Sequence, residues 1–398
     1  MAASERRYDI LFFGATGFTG GLTADYLAAH PDMADLRWAL AGRNPDKLAA
    51  VRDRLAAIAP DAPAPELLTA DIGDEERLAE LVPQARVVIT TVGPYIHYGE
   101  KLAAACAAAG TDYVDLTGEP EFVDRVRARY DQTARDSGAR LVNCCGFDSI
   151  PHDLGVLYTV DRLPQGLPIT IEGYVQAGGT PSGGTWHSAI HAFARARQYA
   201  AQRRRMARGD RQGQGEPARR VGSLPARIHW VDRIGAWACP FPTIDPQVIK
   251  RSARTLNEYG PDFRYGHFVA VKHLPKLLAG AAGVGGLFLG AQVAPLRKLL
   301  LSIRDPGQGP DEAQRAKGWF RVRFRARAGT TELLTQVSGG DPGYGETARM
   351  LAESALTLAT GESPHPDGGV LTPAVALGRP LIARLEKAGL RFEVLAGG

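Results

Sequence analysis

The first 150 residues alternate between short, unbroken apolar runs and longer stretches whose apolar positions recur at helical spacing. The runs are residues 10–13, 37–42, 66–70, 87–91, 113–115 and 140–143. Runs so short, with no polar face, suit strands buried on both sides of a parallel sheet. Six of them separated by helices predict a doubly wound α/β fold, in which ligands lie beyond the carboxyl ends of the strands. The pattern changes after Pro151. Residues 168–176 alternate as a half-buried strand. Residues 319–327 alternate with strict period two, placing Phe320, Val322, Phe324 and Ala326 on one face and Arg321, Arg323, Arg325 and Arg327 on the other. Ala328-Gly329 turns that strand into a partner at 331–337, so an antiparallel sheet covered on one face is expected. Helical spacing returns at 346–359 and 380–388. The expected organisation is a doubly wound domain at 1–150, an inserted α+β domain for substrate or oligomer contacts at 151–345, and C-terminal helices at 346–398 packing near the first domain.

The residues at the predicted strand ends make the first domain a dinucleotide-binding one. Gly14, Gly17 and Gly20 follow the first apolar run and precede a helical pattern that continues to about Ala29. Glycines there let the chain turn tightly and approach a pyrophosphate, and the amides of Thr16, Phe18 and Thr19 at the helix start face its charge. The spacing is G-x-x-G-x-x-G rather than G-x-G-x-x-G, so the strand–turn–helix context carries the assignment. Arg43 ends the second strand, where an NAD-selective site places an acid for the ribose hydroxyls; a cation suits a 2′-phosphate and hence NADP. Asn44 before Pro45 reads as a helix cap. Asp71 ends the third strand near the expected adenine. Thr91, Val92, Gly93 and Pro94 follow the fourth, small enough for backbone approach to the nicotinamide half.

Composition narrows the class further. A chain of 398 residues with 44% hydrophobic content is long enough for two cores, and a net charge of +4 argues against nucleic acid as a partner. The polar start, 1–7, runs directly into the first strand, and Cys106, Cys144, Cys145 and Cys239 show no paired spacing. A reducing, cytoplasmic setting without a metal is expected.

Six ordered motifs carry a resemblance: 13–20 around the glycine turn, 92–100 (Val-Gly-Pro-Tyr-Ile-His-Tyr-Gly-Glu), 115–120 (Asp-Leu-Thr-Gly-Glu-Pro), 146–151 (Gly-Phe-Asp-Ser-Ile-Pro), 183–186 (Gly-Gly-Thr-Trp) and 369–373 (Gly-Val-Leu-Thr-Pro). Together they resemble the saccharopine dehydrogenase-like oxidoreductases, in particular the branch with the trans-acting enoyl reductases. The resemblance spans nearly the whole chain. It implies an NADP-binding Rossmann domain, a second inserted domain, and reduction of carbon–carbon double bonds in polyketide-derived lipids carried on coenzyme A or an acyl carrier protein. Other members act on C–N bonds, and a non-catalytic NADP-binding protein associated with lipid is the third alternative.

Reduction of a polarised double bond needs hydride from C4 of the nicotinamide, a donor to the carbonyl oxygen and a proton for the α-carbon. The chain offers Tyr95, His97, Tyr98, Asp148 and His187 near the expected meeting place. Tyr95 and His187 are the expected catalytic contacts. Glu119 and Asp148 serve either a backbone turn or a ribose. Tyr98 and Lys101 are three apart, not the four of a short-chain dehydrogenase pair, so that assignment fails.

Two further features bear on partners. Residues 194–220 hold nine arginines against two acids and four glycine or proline breaks. They read as a surface loop, either simply solvated or facing an acidic carrier, a coenzyme A phosphate or an anionic membrane. Residues 277–296 are uncharged and reach the roughly 20 residues of a bilayer span, but are diluted by glycine, Gln292 and Pro295. A core or homodimer-interface helix is the first reading, and a peripheral membrane contact or acyl groove the second.

Overall fold

The computed structural model describes residues 6–178, 186, 190–191, 193–195, 219–303 and 311–397. The expected strands all form: β1 (Tyr8–Phe13), β2 (Trp38–Gly42), β3 (Glu66–Thr69), β4 (Ala85–Thr90), β5 (Asp112–Asp115) and β6 (Arg140–Val142). They pair in parallel, and a seventh strand from far along the chain, β14 (Gly369–Leu371), adds beside β6 to give the order β14-β6-β5-β4-β1-β2-β3. Every central strand is buried on both faces. Ile10, Phe12, Leu40, Val87, Ile89 and Val114 belong to the core shared with α1 (Phe18–Ala28) and α2 (Pro45–Ile58). Leu11, Phe13, Ala39, Val88 and Tyr113 belong to the core shared with α3 (Glu75–Leu81), α4 (Tyr95–Ala109) and α5 (Pro120–Ser137). That two-sided burial explains the unbroken apolar runs.

The second sheet has eight strands: β7 (Ile169–Gly178), β8 (Arg220–Ser223), β9 (His229–Val231), β10 (Ala236–Pro240), β11 (Asp262–Val271), β12 (Trp319–Ala328), β13 (Thr331–Gly339) and β15 (Arg391–Gly397). The order is β15-β13-β12-β7-β11-β10-β9, with β8 beside β11. The expected hairpin at 328–329 joins β12 and β13 antiparallel. The sheet is nevertheless mixed rather than antiparallel, since β11 runs parallel to both β7 and β8. A long excursion separates β7 from β11, so chain direction is not forced by a tight turn. The arginine face of β12 is largely neutralised: Arg325 and Arg327 pair with Glu332, Arg325 also with Glu172, and Arg323 donates to Gln336.

The helix α6 (Ile150–Val160) joins the two sheets and is buried along its whole length. Gly155 makes the approach close: a Cβ there would lie 2.3 Å from the Phe324 ring of β12. The segment after 345 holds more than the helices expected of it, because it also supplies one strand to each sheet. Its first helix, Gly345–Ala359, is almost fully buried and packs on α1, β4 and β5. The two sheets therefore share one continuous core, which fixes the face of the second sheet against the carboxyl ends of the first.

Candidate active site

The glycine turn has the backbone geometry that an anion cradle requires. Gly17 is the N-cap of α1 and has no side-chain cap; the first intrahelical bond is Gly21 N to Gly17 O, at 2.7 Å. The helix therefore presents the amides of Phe18, Thr19 and Gly20 without intrahelical acceptors, and its first turn carries no acid. Gly14 and Gly20 are required by packing. Gly14 has φ +99° and a Cβ there would lie 2.5 Å from Thr91 Oγ1, while one at Gly20 would lie 2.0 Å from Gly14 O. Gly17 differs, since its Cβ would meet only Gly14 O, at 3.4 Å. The space beyond Gly17 is what a pyrophosphate needs. Thr16 and Gly17 are exposed there. The Phe18 ring is turned aside against Tyr344, with centroids 4.7 Å apart, so Phe18 offers the site its backbone.

Arg43 extends from the end of β2 with 80% of its side chain exposed, 4.0 Å from Asp71 at the end of β3. A loose pair between exposed groups contributes little, so the guanidinium is available to a 2′-phosphate. Asn44 caps α2, accepting from Lys47 N at 2.9 Å. Arg43→Ala is expected to cost about 1.5–3 kcal/mol of NADPH binding by loss of a charge-assisted contact, with NADH binding nearly unchanged. Parallel titrations of the two cofactors check this, and equal losses would remove Arg43 from the phosphate.

Thr91, Val92, Gly93 and Pro94 follow β4 as expected, with a cis peptide between Gly93 and Pro94. Thr91 donates from Oγ1 to Gly14 O at 3.1 Å and from its amide to Phe13 O at 3.0 Å, tying this loop to the glycine turn. The expectation for Tyr95 is corrected here. Its ring is buried against Phe122, and its hydroxyl donates to Thr90 O at 3.1 Å and accepts from Leu116 N at 3.4 Å. Burial holds that hydroxyl well above the ordinary tyrosine range. Tyr95 thus fastens the ends of β4 and β5, with its hydroxyl already engaged by backbone. The Glu119 carboxylate serves the backbone too, accepting from Tyr95 N at 2.9 Å and Ile96 N at 3.0 Å. Tyr95→Phe is expected to cost about 1 kcal/mol of stability, seen as a lower Tm, and to leave turnover nearly unchanged. A large fall in kcat with an intact Tm would restore Tyr95 to the chemistry.

The other expected catalytic residue, His187, lies outside the described residues, as does most of 194–220. His97 and Tyr98 lie on the exposed face of α4, edge to face with each other.

In place of Tyr95, the structure brings Asp148, which the sequence offered, together with Asp245, His152 and His267, which it did not. The loop after β6 carries two non-glycine residues at positive φ, Cys144 at 66° and Ser149 at 137°, conformations that cluster at functional sites. Asp115 holds this loop, accepting from Thr117 N, Cys144 N, Asn143 Nδ2 and the Tyr113 hydroxyl. Burial raises its carboxyl to about 6. Asp148 rests against Gly118, where a Cβ would lie 2.6 Å from its Oδ2. Asp148 is itself exposed to solvent, yet desolvation by the protein packed around it, then the nearby Asp245, push its carboxyl up to about 7.

Behind Asp148 lies a buried cluster from three elements. Asp245, first residue of the helix Asp245–Thr255, sits between His152 of α6 and His267 of β11. Its Oδ1 is 3.2 Å from His152 Nδ1 and its Oδ2 3.4 Å from His267 Nε2. Ser149 donates to the first oxygen and Thr243 to the second. Tyr265 shares a 2.9 Å hydrogen bond with His267 Nδ1. Phe147 packs on His152 and Phe241 stacks on His267. Burial lowers both imidazoles, His267 to about 4 despite the opposing pull of Asp245, so both are neutral at pH 7. The three side chains are close enough for a cation. Each Asp245 oxygen accepts from one hydroxyl, while His152 Nδ1 and Nε2 and His267 Nε2 are buried without a hydrogen-bond partner among the described residues.

A hollow of about 430 Å³ lined by Arg7, Tyr8, Asp35, Trp38 and Glu66 lies at the amino ends of β1, β2 and β3. That is the wrong edge of the sheet for a dinucleotide.

Comparison with known proteins agrees with this geometry. The family profile described as the saccharopine dehydrogenase NADP binding domain matches residues 10–142. Across its length the chain is similar to a protein of Mycobacterium tuberculosis provisionally named a trans-acting enoyl reductase, 37% identical over 424 residues with 99% of each chain covered. It is also similar to the saccharopine dehydrogenase-like oxidoreductase of Mus musculus, 31% identical over 441 residues with 100% of this chain and 99% of the other covered. Among solved structures, apo saccharopine dehydrogenase (L-Glu forming) from Saccharomyces cerevisiae matches with a TM-score of 0.54 at 12% identity, covering 97% of this chain and 99% of that one. That last likeness is one of fold alone.

Proposed function

We propose, from the premise that the chain belongs to the saccharopine dehydrogenase-like oxidoreductases and carries their NADP-binding domain, that it is an NADPH-dependent enoyl reductase. Its substrate is an α,β-unsaturated acyl thioester on coenzyme A or an acyl carrier protein. The cradle at Gly17 and the exposed Arg43 fit the pyrophosphate and the 2′-phosphate. NADPH, when bound, supplies hydride to the β-carbon of the polarised double bond. Asp148 then gives its proton to the α-carbon, which carries the electron pair released from the double bond. His152, Asp245 and His267 act behind it as positioning residues, and the nearby Asp245 keeps Asp148 protonatable near neutral pH.

The observation that carries this reading is the chemistry around Asp148: carboxyls and aromatic rings, with no arginine or lysine paired to Asp148 or Asp245 among the described residues. A saccharopine-type substrate carries several carboxylates and needs cations to grip them. An enoyl thioester needs an apolar wall and a proton. NADPH oxidation is the test, with a short enoyl thioester against a 2-oxo acid plus amino acid pair. Turnover of the thioester alone is expected. Turnover of the 2-oxo acid pair alone would assign C–N chemistry, and turnover of neither would leave a non-catalytic NADP-binding protein.

A further inference from the structure

Residues 277–296 are not a core helix; of the first expectation, a core or homodimer-interface helix, only the interface part is compatible with their exposure. They lie in the helix Leu274–Gln292 and at the start of the next, Ala294–Leu301. Only Leu277 and Ala291 of the first helix are buried, and all nine residues from 278 to 286 are exposed. The large apolar side chains Leu278, Val284, Leu289, Val293, Leu296, Leu299 and Ile303 face solvent, Leu289 and Leu299 each at 63%. This far exceeds the scattered apolar exposure of an ordinary surface.

We infer that this helix pair inserts into the outer layer of an anionic lipid membrane. Three observations select that occupant. First, nine consecutive exposed positions pass around the whole circumference of a helix with 3.6 residues per turn. A second protein copy would cover one side, whereas lipid surrounds the segment. Second, the flanks are basic: Lys272, Lys276, Arg297 and Lys298 border the apolar stretch, and no aspartate or glutamate occurs from 263 to 304. Cations in that position meet lipid phosphates. Third, the helix is long and apolar enough to cross a bilayer, with a mean hydropathy of 1.4 over its best window, but the strands before and after it, β11 and β12, belong to the same sheet. A single crossing would put that sheet on both sides of the membrane, so the helix must enter and leave from one side.

The insertion sits beside the candidate site. Trp186 donates to Leu300 O at 2.6 Å, and Phe193 meets Phe288 with centroids 5.9 Å apart. Arg195, two residues beyond Phe193, pairs with Glu121 at 3.3 Å and Glu119 at 3.7 Å. Glu119 is next to Gly118, on which Asp148 rests. A substrate whose acyl chain lies in the membrane would meet Asp148 from that side. The membrane contact itself does not depend on the reductase reading.

Vesicle flotation tests the inference without any turnover. The full chain is mixed with vesicles of equal parts phosphatidylglycerol and phosphatidylcholine, or of phosphatidylcholine alone. The wild type is expected to float with the anionic vesicles and at least about fivefold less with the neutral ones, the effect of one or two surface cations. The double variant Leu289→Glu/Leu299→Glu is expected to stay in solution with an unchanged Tm and NADPH affinity. A wild type that floats with neither vesicle overturns the inference, as does a double variant that floats like the wild type. A solution dimer that the double variant splits, without vesicle binding, would assign the surface to a second copy. Should the double variant fail to fold, Lys276→Glu/Lys298→Glu decides: loss of the preference for anionic vesicles supports the inference, and an unchanged preference overturns it.

Discussion

Gly17→Val is expected to fold normally and to bind NADPH at least about 100-fold more weakly than the wild type, as loss of two or three charge-assisted amide contacts requires. Gly17 has φ −83° and ψ 170°, which any residue adopts, and its Cβ would touch the protein at ordinary contact distance. A branched side chain would then occupy the space over the α1 amides where the pyrophosphate belongs. The neighbouring glycines do not allow the same test. A side chain at Gly14 would strain a positive φ and strike Thr91, and one at Gly20 would strike the carbonyl of Gly14, so loss of binding in those variants reports a damaged turn. Tm and a fluorescence titration with NADPH check the prediction together. A Gly17→Val protein with wild-type affinity would place the pyrophosphate elsewhere.

The second large effect is expected at Asp148. Replacing a proton donor typically costs about 100- to 10,000-fold, so Asp148→Asn should lower kcat for an enoyl thioester by that order while NADPH affinity stays the same. The pH profile separates a donor from a structural carboxyl. Because burial and Asp245 raise the Asp148 carboxyl to about 7, its protonated form is present below that pH and is lost above it. Wild-type turnover should therefore fall as pH rises through about 7, and the residual turnover of D148N should lack that limb. His152→Ala should move the limb without abolishing it, since His152 is buried against Asp245. A D148N enzyme with wild-type turnover and an unchanged profile would return Asp148 to a packing role.

The sequence showed most of the first domain because each strand there is apolar on both faces and each ends at a residue with a chemical reason to be present. Gly14, Arg43 and Thr91 could be placed at strand ends before any fold was known. The strand β14 could not, since three residues have no periodicity and β14 pairs with β6 only because the chain returns from more than two hundred residues away. In the second domain, β12 and β13 were readable from strict alternation across a tight turn. The short strands β8, β9 and β10 were not, since Arg220–Ser223 has no apolar face to read.

The candidate site divides in the same way. The proposed cofactor side depends on local motifs, so the positions of its residues at strand ends were legible. The cluster behind the proposed proton donor Asp148 is assembled from α6, the helix Asp245–Thr255 and β11, and no spacing along the chain announces that His152, Asp245 and His267 meet. Their signal lay in tertiary packing, although His152 directly follows a motif already singled out. Tyr95 was misplaced for a related reason: a tyrosine at a strand end suits a ligand contact until Phe122, from another helix, is seen covering it. Residues 277–296 had the composition of both a core helix and a lipid contact, and only exposure separates the two.

The central claim is that hydride passes from NADPH to the β-carbon of an enoyl thioester while the α-carbon takes its proton from a group that exchanges with water. Its most direct test is a single turnover with NADPH deuterated at the transferred position of C4, in ordinary water, followed by mass and NMR analysis of the acyl product. The account predicts one NADPH oxidised per saturated thioester formed, deuterium at the β-carbon and hydrogen from solvent at the α-carbon. A saturated product without deuterium at the β-carbon, or no saturated product while the same NADPH is oxidised by an imine, would contradict it.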